Sequence, residues 1–173
     1  MKCWMLLLTG TILLSQPGHA AAQGGTAATP DQMKVCCQKI SRDIQRIYYL
    51  ANRSGGIKLV LRGVYARDNK LFFSLRLANR SPMDFEVDSI RFFVAERQKG
   101  VPAMHRVSEV KPVFLYDTAA TVKSHSKRTC VIVIPRMSLG RHHRLEIEVL
   151  ERNRGRQLRV DAANFTLETA RLI

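Results

Sequence analysis

KLFFSLRLANRSPMDFEVDSIRFFVAE, residues 70–96, predicts two β-strands joined by a turn. Four apolar residues of its first half recur at every second position: Leu71, Phe73, Leu75 and Leu77. That spacing places them on one face of an extended strand. Asn-Arg-Ser-Pro at positions 79–82 then supplies the residues that turns favour, because Asn and Ser bond their own backbone and Pro lacks an amide donor.

The second strand of this stretch changes its hydrophobic phase by one residue. Its first apolar pair is Phe85 and Val87, and the later set is Ile90, Phe92 and Val94. A slip of one residue would turn one set to solvent, so we expect a bulge or corner at residues 88–89. Such corners let a strand pass from one packed sheet to another. The stretch therefore favours a β-sandwich.

The rest of the chain from residue 57 onward repeats this strand pattern. About eight short strands separated by turn residues predict a mainly β fold, an Ig-like or Greek-key antiparallel β-sandwich over residues 57–173. Asn-Arg-Gly at positions 153–155 predicts a hairpin turn. Pro112 confines the strand over residues 106–115 to a sheet edge, because proline cannot donate to the ladder.

The N-terminal third has a different organisation. Residues 1–22 have the lysine, apolar core and small-residue site of a secretory signal peptide, and we expect residues 23–29 to form a flexible leader. Residues 30–54 predict one amphipathic α-helix, with Thr29 and Gln32 as a capping box. Its apolar face either packs on the sandwich or docks on a partner.

The expected secretion bears on three cysteines, Cys36, Cys37 and Cys130. An exported protein can form disulfides, but adjacent cysteines rarely pair with each other because their geometry is unfavourable. Two alternatives remain open. Either Cys36 or Cys37 is bridged to Cys130, or all three are small buried apolar groups.

No motif of a known catalytic or metal site occurs in the sequence. The carboxylates of Glu146, Glu148 and Glu151 are expected on the solvent face of a strand. His142 and His143 are adjacent, so on a strand they point to opposite faces and cannot easily chelate one ion. We therefore expect no enzymatic activity, no cofactor and no metal.

The formal net charge of +14 indicates an affinity for anionic partners. Six arginines cluster in the C-terminal third: Arg141, Arg144, Arg152, Arg154, Arg156 and Arg159. They form either a solvated face or a contact with acidic protein or lipid headgroups; nucleic acid is the least favoured partner because no aromatic residues are interleaved. Asp88 and Arg91 are predicted to pair, either buried or at an interface and fixing the corner, or as a weak surface pair.

Several segments occur in a fixed order behind the cysteine-bearing helix: LRGVY (61–65), LANRS (77–81), FEVDSIRFFV (85–94), VIVIP (131–135), LEIE (145–148) and ERNRGR (151–156). In sequence and order, the chain over residues 37–172 resembles the C-terminal domain of the TraN proteins of Bacteroidetes conjugative transposons.

This resemblance implies a structural, non-enzymatic subunit of a type IV secretion (conjugative transfer) apparatus. Such a subunit would lie in the periplasm, associate peripherally with the outer membrane and act by protein–protein contacts. The implied partners are a lipoprotein and an envelope-spanning scaffold subunit, with a homo-oligomeric ring as a further expectation. The alternative is a free-standing secreted β-sandwich binding module: a chaperone, an adhesin or an anionic-ligand binder.

Overall fold

A computed structural model of the chain describes residues 29–43, 50–97, 104–153 and 155–173. Its elements in chain order are α1 (Pro30–Arg42), β1 (Ala51–Ser54), β2 (Ile57–Arg67), β3 (Lys70–Asn79), β4 (Phe85–Arg97), β5 (Met104–Val110), β6 (Phe114–Tyr116), β7 (Thr121–Val122), β8 (Lys127–Pro135), β9 (His143–Glu151), β10 (Gln157–Ala163), α2 (Asn164–Glu168) and β11 (Arg171–Leu172). The signal peptide and all of the leader except Thr29 lie outside the described residues. Neither described helix is long and apolar enough to cross a membrane.

The strands form two sheets, which confirms the predicted β-sandwich. The first sheet has the order β1-β2-β3-β8-β6, with β11 added beside β2. The second has the order β10-β9-β4-β5, with β7 paired to the start of β4. Neighbouring strands are antiparallel except for β11, which runs parallel to β2. Because β3 neighbours β8 and β4 neighbours β9, the chain crosses repeatedly between the sheets.

The main core lies between the two sheets and is built from the alternating apolar positions. Phe73 of β3 and Phe92 of β4 are fully buried and meet edge to face, with ring centroids 5.4 Å apart. Leu145, Ile147 and Val149 of β9 complete the facing layer. Burying side chains of this size stabilises the fold by about 1.5–3 kcal/mol each.

The phase change in β4 is a bulge at the expected place. Val87 pairs with Glu151 and Ser89 with Leu150, so Asp88 is the extra residue. The expectation that the strand there passes between sheets is wrong. The strand stays in the second sheet, because its first residues pair with β7 and the rest with β9. The chain changes sheets earlier, in the turn between β3 and β4.

Helix α1 begins as expected but ends early. Thr29 and Gln32 form the capping box, with the Thr29 amide donating to Gln32 Oε1 at 2.9 Å. The prediction of a helix to residue 54 is wrong, because α1 ends at Arg42 and residues 51–54 form β1; residues 44–49 lie outside the described ranges. Gly55 and Gly56 have positive φ angles and make the turn of a β1–β2 hairpin.

The apolar side of α1 packs on the outer face of the first sheet. Cys37 and Ile40 are buried there against Tyr65, Phe72 and Val133. Of the two alternatives left open by the sequence, the structure shows the helix packed on the sandwich. The first sheet is covered on both faces along this part of its length, by the second sheet and by α1.

Turn residues also behave as the sequence indicated. The Asn79 side chain is buried; its Nδ2 donates to the carbonyls of Met83 at 2.8 Å and Val122 at 3.1 Å, and its Oδ1 accepts from the Ser81 amide. Asn153 has a positive φ angle in the hairpin between β9 and β10. The prediction of one edge strand over residues 106–115 is wrong, because Pro112 falls between β5 and β6, which end two different sheets.

Candidate functional site

The predicted corner pair does not form, because its members have other partners. Arg91 donates to Glu109 of the neighbouring strand β5, with Nε 3.0 Å from Oε1. Asp88 lies 4.0 Å from Arg152 of the β9–β10 hairpin. The bulge explains the separation, since the extra residue turns Asp88 towards that hairpin while Arg91 lies on the outer face of the second sheet.

Two carboxylates of β9 are buried, contrary to the expectation that they face solvent. Glu146 and Glu148 are 0% and 2% exposed. Arg106 reaches across from β5, binds both carboxylates and stacks on Phe93 at 4.0 Å from the ring centroid. Although burial lowers the pKa of Arg106, its hydrogen bonds to Glu148 and Glu146 raise it overall. Arg159 pairs with the second oxygen of Glu146 at 3.3 Å.

The third carboxylate, Glu151, is also buried and is held by Arg156. The two side chains form a bidentate ion pair in which Glu151 is 1% and Arg156 15% exposed. Arg156 also donates to the carbonyl of Gly55 at 2.9 Å and lies over the Phe85 ring. This cluster ties the β1–β2 hairpin to the second sheet, so its role is structural. All three carboxylates are neutralised by arginines.

The three cysteines are free thiols, so the first of the two sequence alternatives is wrong. Cys36 and Cys37 lie between α1 and the outer face of the first sheet, whereas Cys130 of β8 points into the core between the sheets. The sheet itself separates them. Burial raises the pKa of Cys37 and of Cys130 to about 12.

The arginine cluster predicted in the C-terminal third does not form one surface. Arg156 and Arg159 are engaged by glutamates, and Arg152 lies near Asp88. Arg141 is exposed in the turn before β9, and Arg144 lies on that strand; Arg154 is outside the described residues. His142 and His143 lie in the same region, and the described part of the chain contains no group of three metal-ligating side chains.

The outer face of the first sheet carries a concentration of positive charge that sequence reasoning missed. We call it the basic sheet surface, and its residues are Arg53, Lys58, Arg62, Arg76 and Lys127. In β2, Lys58 lies between the core residues Ile57 and Leu59, so its side chain points away from the core. The same alternation puts Arg76 and Lys127 on the outer face.

Strand register brings these cations together. Arg53 is directly opposite Lys58, and Ala78 lies between Lys58 and Lys127 on the neighbouring strands. Arg76 is opposite Val60 and therefore diagonal to Lys58, about 7–8 Å away. None of the five makes an ion pair with a carboxylate of the described residues. Like charges so placed repel each other.

Arg62 is the buried member of this surface. A bulge in β2 turns it to the outer face, where it is 7% exposed. Its Nη1 donates to the carbonyl of Ser41, at the end of α1, at 3.3 Å and to the hydroxyl of Thr129 at 3.4 Å. Burial, and next the charge of Arg76, lower the pKa of Arg62, and the charges of Tyr65 and Asp43 oppose this shift. The two described hydrogen-bond partners of Arg62 are neutral oxygens.

A groove lies between α1 and the C-terminal residues of the chain. It has a volume of about 750 Å³, and Val35, Ile40 and Ile173 form part of its wall. Arg171 and Asp43 form an ion pair at 2.9 Å beside it. The groove is thus mainly apolar with a charged rim, unlike the basic sheet surface.

Comparison with known proteins gives one result. A family model described as Domain of unknown function (DUF4138) matches residues 30–172. A search among curated proteins found no match. The matched range contains α1 and all eleven described strands, including the basic sheet surface. The chain therefore belongs to the DUF4138 family.

Proposed function

We propose that this protein is a structural, non-enzymatic subunit of a type IV secretion (conjugative transfer) apparatus. It lies in the periplasm, is associated with the outer membrane and acts by contacts with other subunits. The observation that carries the proposal is the resemblance of the segments over residues 37–172 to the C-terminal domain of TraN proteins. The family match covers nearly the same residues, which supports treating them as one domain.

The chemistry of the buried carboxylates supports a structural role. Each of Glu146, Glu148 and Glu151 is buried and ion-paired with an arginine. A general acid or base must come within hydrogen-bond reach of a substrate. These glutamates instead join neighbouring strands.

Surfaces suited to protein contacts support the same role. One edge of the sandwich has three half-exposed apolar residues: Val107 of β5, Val113 directly before β6, and Leu115 of β6. Exposed apolar residues grouped at an edge are typical of interaction sites. A stable interface generally buries more than about 1,000 Å², so such an edge would form only part of one. The basic sheet surface is a second contact region of different chemistry.

The experiment is isolation of the tagged full chain from the envelope of the bacterium that encodes it. Solubilisation in mild detergent followed by sedimentation should give a large complex containing other envelope proteins of the transfer apparatus. Recovery of the chain as a free monomer, released with the soluble periplasmic contents, contradicts the proposal. That result would favour the free-standing binding module.

A further inference from the structure

The basic sheet surface brings five positively charged side chains together on one face of the first sheet. Arg53, Lys58, Arg76 and Lys127 lie on four adjacent strands, so the surface is about 14 Å wide. Like charges on neighbouring strands destabilise a sheet, and an anion bound across them removes that cost.

Arg62 adds an independent observation. A buried charge is normally paired with an opposite charge, because an unpaired ion is costly to remove from water. The two described hydrogen bonds of Arg62 go to neutral oxygens, Ser41 O and Thr129 Oγ1. The charge of Asp43 also acts on Arg62, but the ion pair of that carboxylate is with Arg171. An anion above Thr129 would lie close to Arg62 and Arg76 together, since Thr129 is directly opposite Arg76.

The shape of this region selects among anionic partners. Helix α1 packs on the same face of the sheet, and its last turn reaches Arg62. Since a helix with its side chains is about 10–12 Å across, a flat membrane or a nucleic acid duplex would meet α1 before the sheet. A single extended chain is narrow enough to lie beside the helix on the strands.

The side chains that lie between the cations also distinguish one class of anionic partner from another. The residues interleaved with them on this face include Val60, Ala78 and Thr129, none of which is aromatic. Single-stranded nucleic acid is held by stacking on aromatic side chains, and membrane interfaces favour Trp and Tyr anchors. Carboxylates need only cations and hydrogen-bond donors at short range.

We propose that the basic sheet surface binds an extended acidic segment, rich in Asp or Glu, of a partner protein. About four or five residues of such a segment span the charged part of the strands. The carboxylates would pair with Lys58, Arg76 and Lys127, and one would approach Arg62. The partner is defined by its charge, so the inference does not depend on the proposed place in a transfer apparatus.

The test is titration of the purified protein with a fluorescent oligoglutamate peptide, followed by anisotropy. The variant K58E/R76E should bind at least about tenfold more weakly than the wild type. The control R136E/R141E has the same net charge, but its exposed substitutions lie outside this surface, and it should lose less than about twofold. The variant K58Q/R76Q removes the two charges without reversing them, so its affinity for the peptide should lie between those of K58E/R76E and R136E/R141E. Circular dichroism checks that each variant is folded.

Three results would overturn the inference. The first is absence of measurable peptide binding at low ionic strength. The second is an equal loss in K58E/R76E and R136E/R141E, which would mean that only net charge matters. The third is tighter binding of phosphatidylglycerol vesicles or duplex DNA that is lost through the same K58E/R76E substitutions. Because the assay uses purified protein, a negative result leaves the proposed function standing, whereas the envelope experiment tests that function alone.

Discussion

Replacing Arg156 with Met tests whether the cluster at the end of the sandwich holds the two sheets together. The substitution leaves the carboxylate of Glu151, which is 1% exposed, without its bidentate partner. It also removes the hydrogen bond to Gly55 O at 2.9 Å. Removing one partner of a buried ion pair costs about 3–5 kcal/mol. Since Arg156 is 15% exposed, we expect a loss near the lower end, about 3 kcal/mol of the free energy of unfolding.

Urea denaturation followed by far-UV circular dichroism measures this loss, which corresponds to a fall in Tm of about 6–12 °C. Arg152→Met is the matched control, because Arg152 lies on the same hairpin but its pair with Asp88 is exposed and 4.0 Å long. Its effect should stay below about 0.5 kcal/mol. Adding Glu151→Gln to Arg156→Met should recover part of the loss, because the unpaired buried charge is removed. Equal effects of the two arginine substitutions would show that the buried pair of Arg156 and Glu151 does not stabilise the fold more than the exposed pair of Arg152 and Asp88.

Three further predictions concern single side chains. Asn79→Ala should lower the free energy of unfolding, measured by urea denaturation, by about 2 kcal/mol, because two hydrogen bonds from a buried side chain to backbone carbonyls are lost. The control Asn52→Ala changes an exposed side chain and should leave the free energy of unfolding unchanged. Similar losses in the two variants would contradict a stabilising role of the Asn79 hydrogen bonds. Cys37 and Cys130 should resist Ellman's reagent in the native protein and react fully in urea, since their pKa values are about 12 and both thiols are buried; fast native reaction would exclude that burial. Folding raises the pKa of Cys130 from 9.0 to about 12, so the unfolded state loses this proton first as the pH rises. The free energy of unfolding should therefore fall between about pH 9 and pH 12, and it should fall less steeply in Cys130→Ala than in the wild type. Identical slopes in the two proteins would exclude a contribution from Cys130.

Much of the fold could be predicted from local patterns. The period-two alternation in residues 70–96 predicted two strands, and the change of phase predicted the bulge at Asp88. Both features depend on neighbours in sequence, which is why a single sequence contains them. The capping box at Thr29 was visible for the same reason.

The errors came from interactions between distant residues. The apolar spacing of α1 continues past Arg42, but residues 51–54 pair with β2 and form a strand. Glu146 and Glu148 alternate with core residues and therefore looked exposed. Arg106, on a strand two positions away in the sheet, covers them.

The basic sheet surface was missed because its members are spread between residues 53 and 127. The arginines of the C-terminal third are close together in the sequence, but the fold disperses them. The signal that could have found the surface is the charge at the polar positions of alternating strands, such as Lys58 and Arg76. This pattern of charges can be recognised as one surface only when the strand order is known.

A role of this protein in the transfer apparatus is tested by the frequency of DNA transfer from donor cells that lack its gene. We predict that transfer falls to the level of donors without a transfer apparatus, that growth is unchanged, and that the full chain supplied in trans restores transfer. Normal transfer from the deletion strain would show that the protein is not a required subunit of the apparatus.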